Sequence, residues 1–250
     1  MSEQKYTLSV CDFSVADKKA KPPKFNYPGI TFRVGPSDLT GDTIATIAVF
    51  NSANEKTGNV IQVYYLPVAE HPMDAIKSGL DSAVCGNCPL RPVHSNVCYV
   101  RKYHGPARVY STFQRGRYPH YEDLSQVDKD RVLSILRSKP VRLGAYGDPA
   151  SDLETSTFLT SLAPQITAYT HQWRKVPQLK PFCMASVDST EEYTQAKDSG
   201  WRTYRHTSDN MAFGNEIVCP HKTHGVQCAD CGLCSGTASN SKRDIVTTTI

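Results

Sequence analysis

The sequence has no long apolar run and only two tryptophans among 250 residues. No stretch approaches the roughly 20 apolar residues of a membrane-spanning helix. Residues 1–24 alternate charged and polar side chains and lack the apolar core of a signal peptide. These absences exclude a membrane protein and predict a protein of the cytoplasm, where nine cysteines do not form stable disulfides.

Acidic residues are also absent from residues 82–121, although the whole chain has 24. Six basic residues give this stretch a charge of +6, so the rest of the chain sums to −2 against a net charge of +4. Aromatic residues are interleaved with them. The pattern is typical either of nucleic-acid binding, through phosphate contacts and base stacking, or of cations that offset an anionic thiolate cluster while the rings fill the core. The residues concerned are Arg91, Arg101, Lys102, Arg108, Arg115, Arg117, Tyr103, Tyr110, Phe113, Tyr118 and Tyr121.

Seven of the nine cysteines fall into two groups, and this spacing predicts bound metal. The second cysteine group has the spacing C-x8-C-x2-C-x2-C, and its first cysteine precedes a proline. Three cysteines at consecutive two-residue intervals are typical of a [4Fe–4S] cluster, whereas structural zinc sites more often use two separated C-x2-C pairs. Zinc is the alternative. This group comprises Cys219, Cys228, Cys231 and Cys234.

The first cysteine group, Cys85, Cys88 and Cys98, has the spacing C-x2-C-x9-C and no fourth cysteine nearby. Three interpretations follow. His94 or His104 completes a zinc site; a [4Fe–4S] cluster keeps one iron open for a ligand such as S-adenosylmethionine; or both groups share one site.

Strand and helix signals alternate after about residue 124, which predicts an α/β protein. We expect a partial parallel β/α barrel or an open parallel sheet, with an N-terminal β-hairpin formed by residues 42–50 and 59–66 and a C-terminal cysteine-rich segment. Helices are expected at 73–81 and 125–139, after Ser151 and after Ser189, the last two with capping boxes. Residues 1–35 form an arm. Residues 36–123 hold the hairpin, the first cysteine group and the basic stretch, and residues 124–250 hold the βα repeats in one compact unit with them.

Parallel strands place functional side chains just beyond their carboxyl ends. Asp148, His171 and Asp188 follow predicted strands and are the candidate catalytic residues. His206 and Cys219 occupy similar positions. Arg101, Lys102 and Tyr146 are the candidate cofactor-binding residues, for a bound cofactor, nucleic acid or a nucleotide-like small molecule. The sequence does not predict an oligomeric state.

The motifs CGNCP, CYV, RLGAYGDPA, YTHQWR, ASVDS, GWRTYR and CADCGLC resemble an uncharacterised cysteine-rich protein family of bacteriophages and prophages. The resemblance implies a phage origin, and hence the host cytoplasm, without an activity. The overall layout is also similar to radical S-adenosylmethionine proteins, which carry a cysteine loop near the start of a partial β/α barrel. C-x2-C-x9-C replaces their C-x3-C-x2-C, and their Gly-Gly-Glu strand has only a distant echo at Gly144–Pro149.

Overall fold

The computed structural model describes residues 26–51, 54–98, 100–207 and 211–248. Residues 1–25, which include Cys11 and most of the predicted arm, lie outside it. The strands are β1 (Gly29–Pro36), β2 (Thr43–Val49), β3 (Ile61–Pro67), β4 (Val141–Tyr146), β5 (Ile166–Thr167), β6 (Tyr169–Thr170), β7 (Met184–Val187), β8 (Thr203–Thr207), β9 (Glu216–Val218) and β10 (Asp244–Thr248). The helices are α1 (Pro72–Ser78), α2 (Ser82–Cys85), α3 (Gly105–Gln114), α4 (Gln126–Ser138), α5 (Leu153–Leu162), α6 (Thr190–Asp198), α7 (Pro220–His224) and α8 (Cys228–Cys231).

The first sheet is mixed and has the order β1-β2-β3-β4-β5. β1, β2 and β3 are antiparallel neighbours, so the sheet starts with the predicted hairpin arrangement. β4 and β5 then continue it in parallel. β1 begins at Gly29, so the sheet includes the last part of the segment assigned to the arm.

The second sheet is parallel and has the order β6-β7-β8-β10-β9. Only Ala168 separates β5 from β6. Its N–H donates to the Cys234 carbonyl oxygen, and its own carbonyl accepts from the Met184 N–H. The protein is therefore α/β, as predicted, and the described strands do not close into a barrel.

Local sequence explains where the helices begin. Ser125 starts α4 by accepting the Asp128 N–H, and Ser189 starts α6 by accepting the Glu192 N–H. The capping box predicted from Ser151 is wrong. Asp152 is the N-cap of α5, because Ser151 belongs to a preceding 3-10 turn and its hydroxyl donates to the Asp148 carbonyl.

The core lies against the sheets, with fully buried side chains such as Ile44, Ile47, Ile61 and Leu159. Burial of each such side chain stabilises the fold by about 1.5–3 kcal/mol. Cys183 is buried in this core, as expected of a cysteine outside both groups. None of the helices in the described ranges has the length and apolarity needed to cross a membrane.

Candidate metal centres

The first cysteine group lies where the chain leaves the first sheet. Cys85 ends α2, Cys88 follows in the next loop, and Cys98 lies between Arg91 and Arg101 of the basic stretch. Burial raises the pKa of the Cys85 thiol well above its usual range, and the nearby charges of Cys88, Asp81 and Cys98 raise it further. Burial also raises the pKa of Cys98. These thiols therefore stay protonated unless a metal stabilises the thiolates.

A buried arginine holds the loop of the first group. The Arg91 guanidinium donates to both carboxylate oxygens of Asp81, at 2.6 and 2.9 Å. It also donates to the carbonyl oxygens of Gly79 and Gly86. One side chain thus ties together both ends of the segment that carries Cys85.

His171 contacts the first group from the end of β6. Its Nδ1 lies 3.3 Å from Cys88 Sγ and its Nε2 lies 3.1 Å from Asp188 Oδ2. Burial lowers the pKa of His171, but its hydrogen bonds to Asp188 and Cys88 outweigh burial and raise that pKa to about 10. The zinc interpretation named His94 or His104, whereas the histidine that the structure places against a thiol is His171.

Asp148 is buried and positions His171. Its carboxylate accepts the His171 N–H at 2.9 Å, the Thr170 hydroxyl at 2.8 Å and the Ala150 N–H at 2.9 Å. Burial raises the pKa of Asp148, and these hydrogen bonds oppose that shift. The three predicted catalytic residues are therefore brought together: Asp148 orients the backbone of His171, and Asp188 orients its ring.

Two of the three predicted cofactor-binding residues lie beside the first group. The Tyr146 hydroxyl is buried and has no hydrogen-bond partner among the described residues. Burial raises the pKa of Tyr146 well above its usual range, and the charges of Cys85 and Cys98 act in the same direction. Lys102 lies close enough to Cys98 to lower the pKa of its thiol. A buried hydroxyl without a partner is rare in folded proteins and favours a missing ligand.

The second cysteine group surrounds a cavity. Cys219, Cys228, Cys231 and Cys234 all line it. Burial raises the pKa of the Cys234 thiol to about 12, and the charges of the other three cysteines act in the same direction. The Tyr169 hydroxyl lies close enough to Cys234 to lower the pKa of that thiol.

A second buried arginine holds the cysteine-rich segment. Arg202 donates to the carbonyl oxygens of Leu233 at 2.8 Å, Ser235 at 2.5 Å and Arg243 at 2.5 Å. It also donates to the Ser241 hydroxyl at 3.2 Å. Elsewhere the segment is tied to the first sheet, since the Gln165 side chain donates to the Cys228 carbonyl, and the Cys228 N–H donates to the Lys56 carbonyl.

A single zinc ion and a four-iron cluster need different arrangements of thiols. Among the described residues, no set of three or more His, Cys, Asp or Glu side chains is arranged to hold a metal ion. One zinc ion with bonds of about 2.3 Å would hold four sulfurs only about 3.8 Å apart. A four-iron cluster takes one thiolate on each iron, so its cysteines enclose a volume instead of meeting at a point. The cavity that the second group encloses has a volume of about 10 Å³, which is room for about one water molecule, so a four-iron cluster would require these cysteines to move apart.

A second, larger cavity has a volume of about 780 Å³. Residues of both sheets line it, together with Arg101 and His104 after the first group and His221, Lys222 and Cys228 of the second. Arg101 is the predicted cofactor-binding residue found here. Asp148, His171 and Asp188 are not among its lining residues.

The rings of the basic stretch belong mostly to the core. Tyr118 is buried, and Tyr110, Phe113 and Tyr121 pack against the core, whereas Tyr103 is 66% exposed. Helix α3, which the sequence-based prediction did not include, carries Tyr110 and Phe113. Of the two interpretations of this stretch, the packing of its rings favours the one in which they fill the core.

No protein family, curated protein or solved structure matches this chain. Its function must therefore be inferred from the site. The sequence identifies both cysteine groups and the strand-end residues. It does not predict the contacts that Arg91, Arg202 and Tyr169 make with the cysteine segments, because these contacts join residues that lie apart along the chain.

Proposed function

We propose that this chain is a phage-encoded iron–sulfur protein of the host cytoplasm. Cys219, Cys228, Cys231 and Cys234 hold one [4Fe–4S] cluster. The observation that carries the proposal is that these four cysteines, spread over two segments, line a single cavity. Tyr169 supplies the hydrogen bond to sulfur that such clusters commonly receive.

The first cysteine group holds a second cluster, and it is the proposed place of redox or radical chemistry. An iron–sulfur cluster supplies single electrons to a bound reactant. The chain supplies His171, with Asp188 fixing its ring and Asp148 its backbone. His171 can hold a proton beside the reactant or provide the fourth ligand that the cysteines lack. The unpartnered Tyr146 hydroxyl faces the same group and can donate to a ligand there.

The competing proposal is a zinc-stapled nucleic-acid-binding protein without catalysis. It requires aromatic rings at the surface of the basic stretch, and Tyr103 is the exposed one among the five. It also requires thiols that converge on a single ion. The packing of the other rings counts against the first requirement, and the C-x2-C-x2-C spacing of the second group is the reason to prefer a cluster to a single ion.

The test is metal analysis and electron paramagnetic resonance on anaerobically purified protein, with and without S-adenosylmethionine. We expect brown protein with about eight irons per chain if both centres are [4Fe–4S] clusters. A spectrum altered by S-adenosylmethionine would assign that molecule to an open iron of the first cluster. Colourless protein with stoichiometric zinc would refute the proposal.

Serine variants assign each cluster. Replacing Cys228 and Cys231 together should leave about four irons, and so should replacing Cys85 and Cys88. Cys183→Ser is the matched control, because Cys183 is buried outside both groups and should keep all the iron. Equal loss of iron in all three variants would show that unfolding, not ligand loss, is being measured.

A further inference from the structure

We propose that the cavity of about 780 Å³ binds a nucleoside phosphate, with its phosphate against the cationic wall and its base against the tyrosine rings. This inference deepens the proposed function by naming the substrate class. It rests on that function for the reaction, whereas the binding itself does not require a cluster.

The charge of the wall is the first argument. Four cationic side chains line the cavity, and Glu55 is the one carboxylate among its described lining residues. The ion pairs formed within the described part of the chain involve none of these four cations. Their charges are thus available to an anion inside a partly enclosed space, where electrostatic attraction exceeds that in bulk water. The four are Lys56, Arg101, Arg142 and Lys222.

Imidazole groups extend this polar wall. His104, His206 and His221 also line the cavity. The Nδ1 atom of His221 is buried and has no hydrogen-bond partner among the described residues. Since buried polar atoms are normally satisfied, this nitrogen favours a bound polar ligand in one of the two cavities that His221 lines, this one or the small cavity of the second cysteine group.

The aromatic rings are the second argument. Tyr64, Tyr169 and Tyr204 line the same cavity, and the rings of Tyr169 and Tyr204 stand 4.0 Å apart between centroids. All come from strands, so the sheets hold them in place. Aromatic faces beside cations are the combination that binds bases joined to phosphates.

The size of the cavity favours a small molecule over a strand of nucleic acid. Pockets for small ligands have volumes of about 300–1,000 Å³, and this one has about 780 Å³. The rings that an extended strand would need along the basic stretch are mostly in the core.

A simpler role for two of the cations is charge compensation. Arg142 and Lys56 lie close enough to Cys228 to lower the pKa of its thiol, so they would also offset the charge of a cluster. Arg101 is not among the main charges that shift the pKa of Cys228 or Cys234. Arg101 is therefore the residue that separates the two roles.

The test is equilibrium binding of AMP, GMP, CMP and UMP, measured by calorimetry on the full chain as purified. The corresponding nucleosides, inorganic phosphate and a 12-residue single-stranded DNA serve as comparison probes. We expect one mononucleotide per chain and at least tenfold weaker binding of its nucleoside. Arg101→Gln should weaken nucleotide binding at least tenfold. Arg108→Gln is the matched control, since Arg108 is an exposed arginine of the same stretch outside the cavity lining.

Several results would overturn the inference. They are equal affinity for nucleotide and nucleoside, phosphate alone binding as tightly as the nucleotide, equal effects of the Arg101 and Arg108 substitutions, or binding of the DNA without any mononucleotide. Binding is repeated on the Cys231/Cys234 double serine variant with its iron measured, because neither of these cysteines lines the cavity. Nucleotide binding that persists without the second cluster supports this inference independently of the proposed function. Wild-type protein that contains no iron but binds the nucleotide would refute the proposed function and leave this inference standing.

Discussion

Replacing Arg202 with methionine should detach the cysteine-rich segment from the second sheet. The guanidinium is buried, with 5% of the residue exposed, and donates to three backbone carbonyls and one hydroxyl between Leu233 and Arg243. Methionine fills a similar volume without any donor. The perturbation therefore removes the hydrogen bonds while keeping most of the apolar packing of the side chain.

The expected magnitude follows from the carbonyls left without a donor. Each buried acceptor that loses its partner costs about 1–3 kcal/mol. The bond to Ser235 is buried, whereas those to Leu233 and Arg243 are partly buried and cost less, so the three sum to about 3–5 kcal/mol. Burial of the charge itself is unfavourable, as the lowered pKa of Arg202 shows, so its removal returns part of that cost. We expect a net loss of about 3 kcal/mol in the free energy of unfolding, a large part of the 5–15 kcal/mol typical of a domain.

The assay combines urea denaturation with hydrogen exchange of the protein as purified anaerobically. Exchange should rise in residues 233–243 and at the Ala168 N–H, which donates to Cys234. Arg243→Met is the control, because Arg243 is exposed and its side chain donates to Asn215 at 3.3 Å. A loss below about 1 kcal/mol with unchanged exchange would refute the assignment of Arg202 as the residue that holds this segment.

Three further substitutions test the cysteine groups. Tyr169→Phe removes the hydroxyl beside Cys234. Loss of a hydrogen bond of about 1 kcal/mol should lower the reduction potential of the second cluster by about 40 mV. A redox titration that gives the wild-type potential would contradict this bond. Arg91→Met leaves a buried carboxylate unpaired and should cost about 3–5 kcal/mol in urea denaturation, whereas a neutral result would argue against the role of Arg91. Gly236→Ala drives a methyl group into the backbone at Lys180, so the iron content should fall towards about four per chain; full retention of iron would count against close docking of this segment.

The order of strands and helices could be predicted because local signals carry it. The hairpin appears in the sequence as two β-rich runs around a polar turn, and β4, β7, α4 and α6 follow from short apolar runs and caps. β10 was missed because its five residues follow a polar, serine-rich tail. Its insertion between β8 and β9 is a long-range choice that no local pattern encodes.

Helix α3 was not predicted although its sequence contains a signal for the start of a helix. Pro106 stands in the first turn, where proline is favoured because its missing N–H would be unpaired there. The basic charge of the stretch left two interpretations open, a binding surface and cations beside a thiolate cluster. Helical spacing turns Val109 and Tyr110 towards the core, where Phe113 of the same helix also packs.

The candidate site likewise combines local features, which the sequence predicts, with long-range contacts, which it does not. Cysteine spacing within each group is local, so both groups could be identified. The contact between Cys88 and His171 spans 83 residues of sequence and depends on the parallel order that brings the ends of β4, β6 and β7 together. Only the tertiary structure shows that the three-cysteine group has a histidine at hand.

The two groups differ in the burial of some of their cysteines, and we propose that this difference divides their roles. Cys219 and Cys234 of the second group are buried, and Arg202 fixes the segment around Cys234. Cys228 and Cys231, like the three cysteines of the first group, are only partly buried, and Asp188 beside the first group is exposed. A centre that exchanges reactants needs such access, whereas one that only stores or relays an electron gains from enclosure, because excluding water fixes its potential. The chemistry is therefore expected at the first group, with the second supplying electrons or holding the fold.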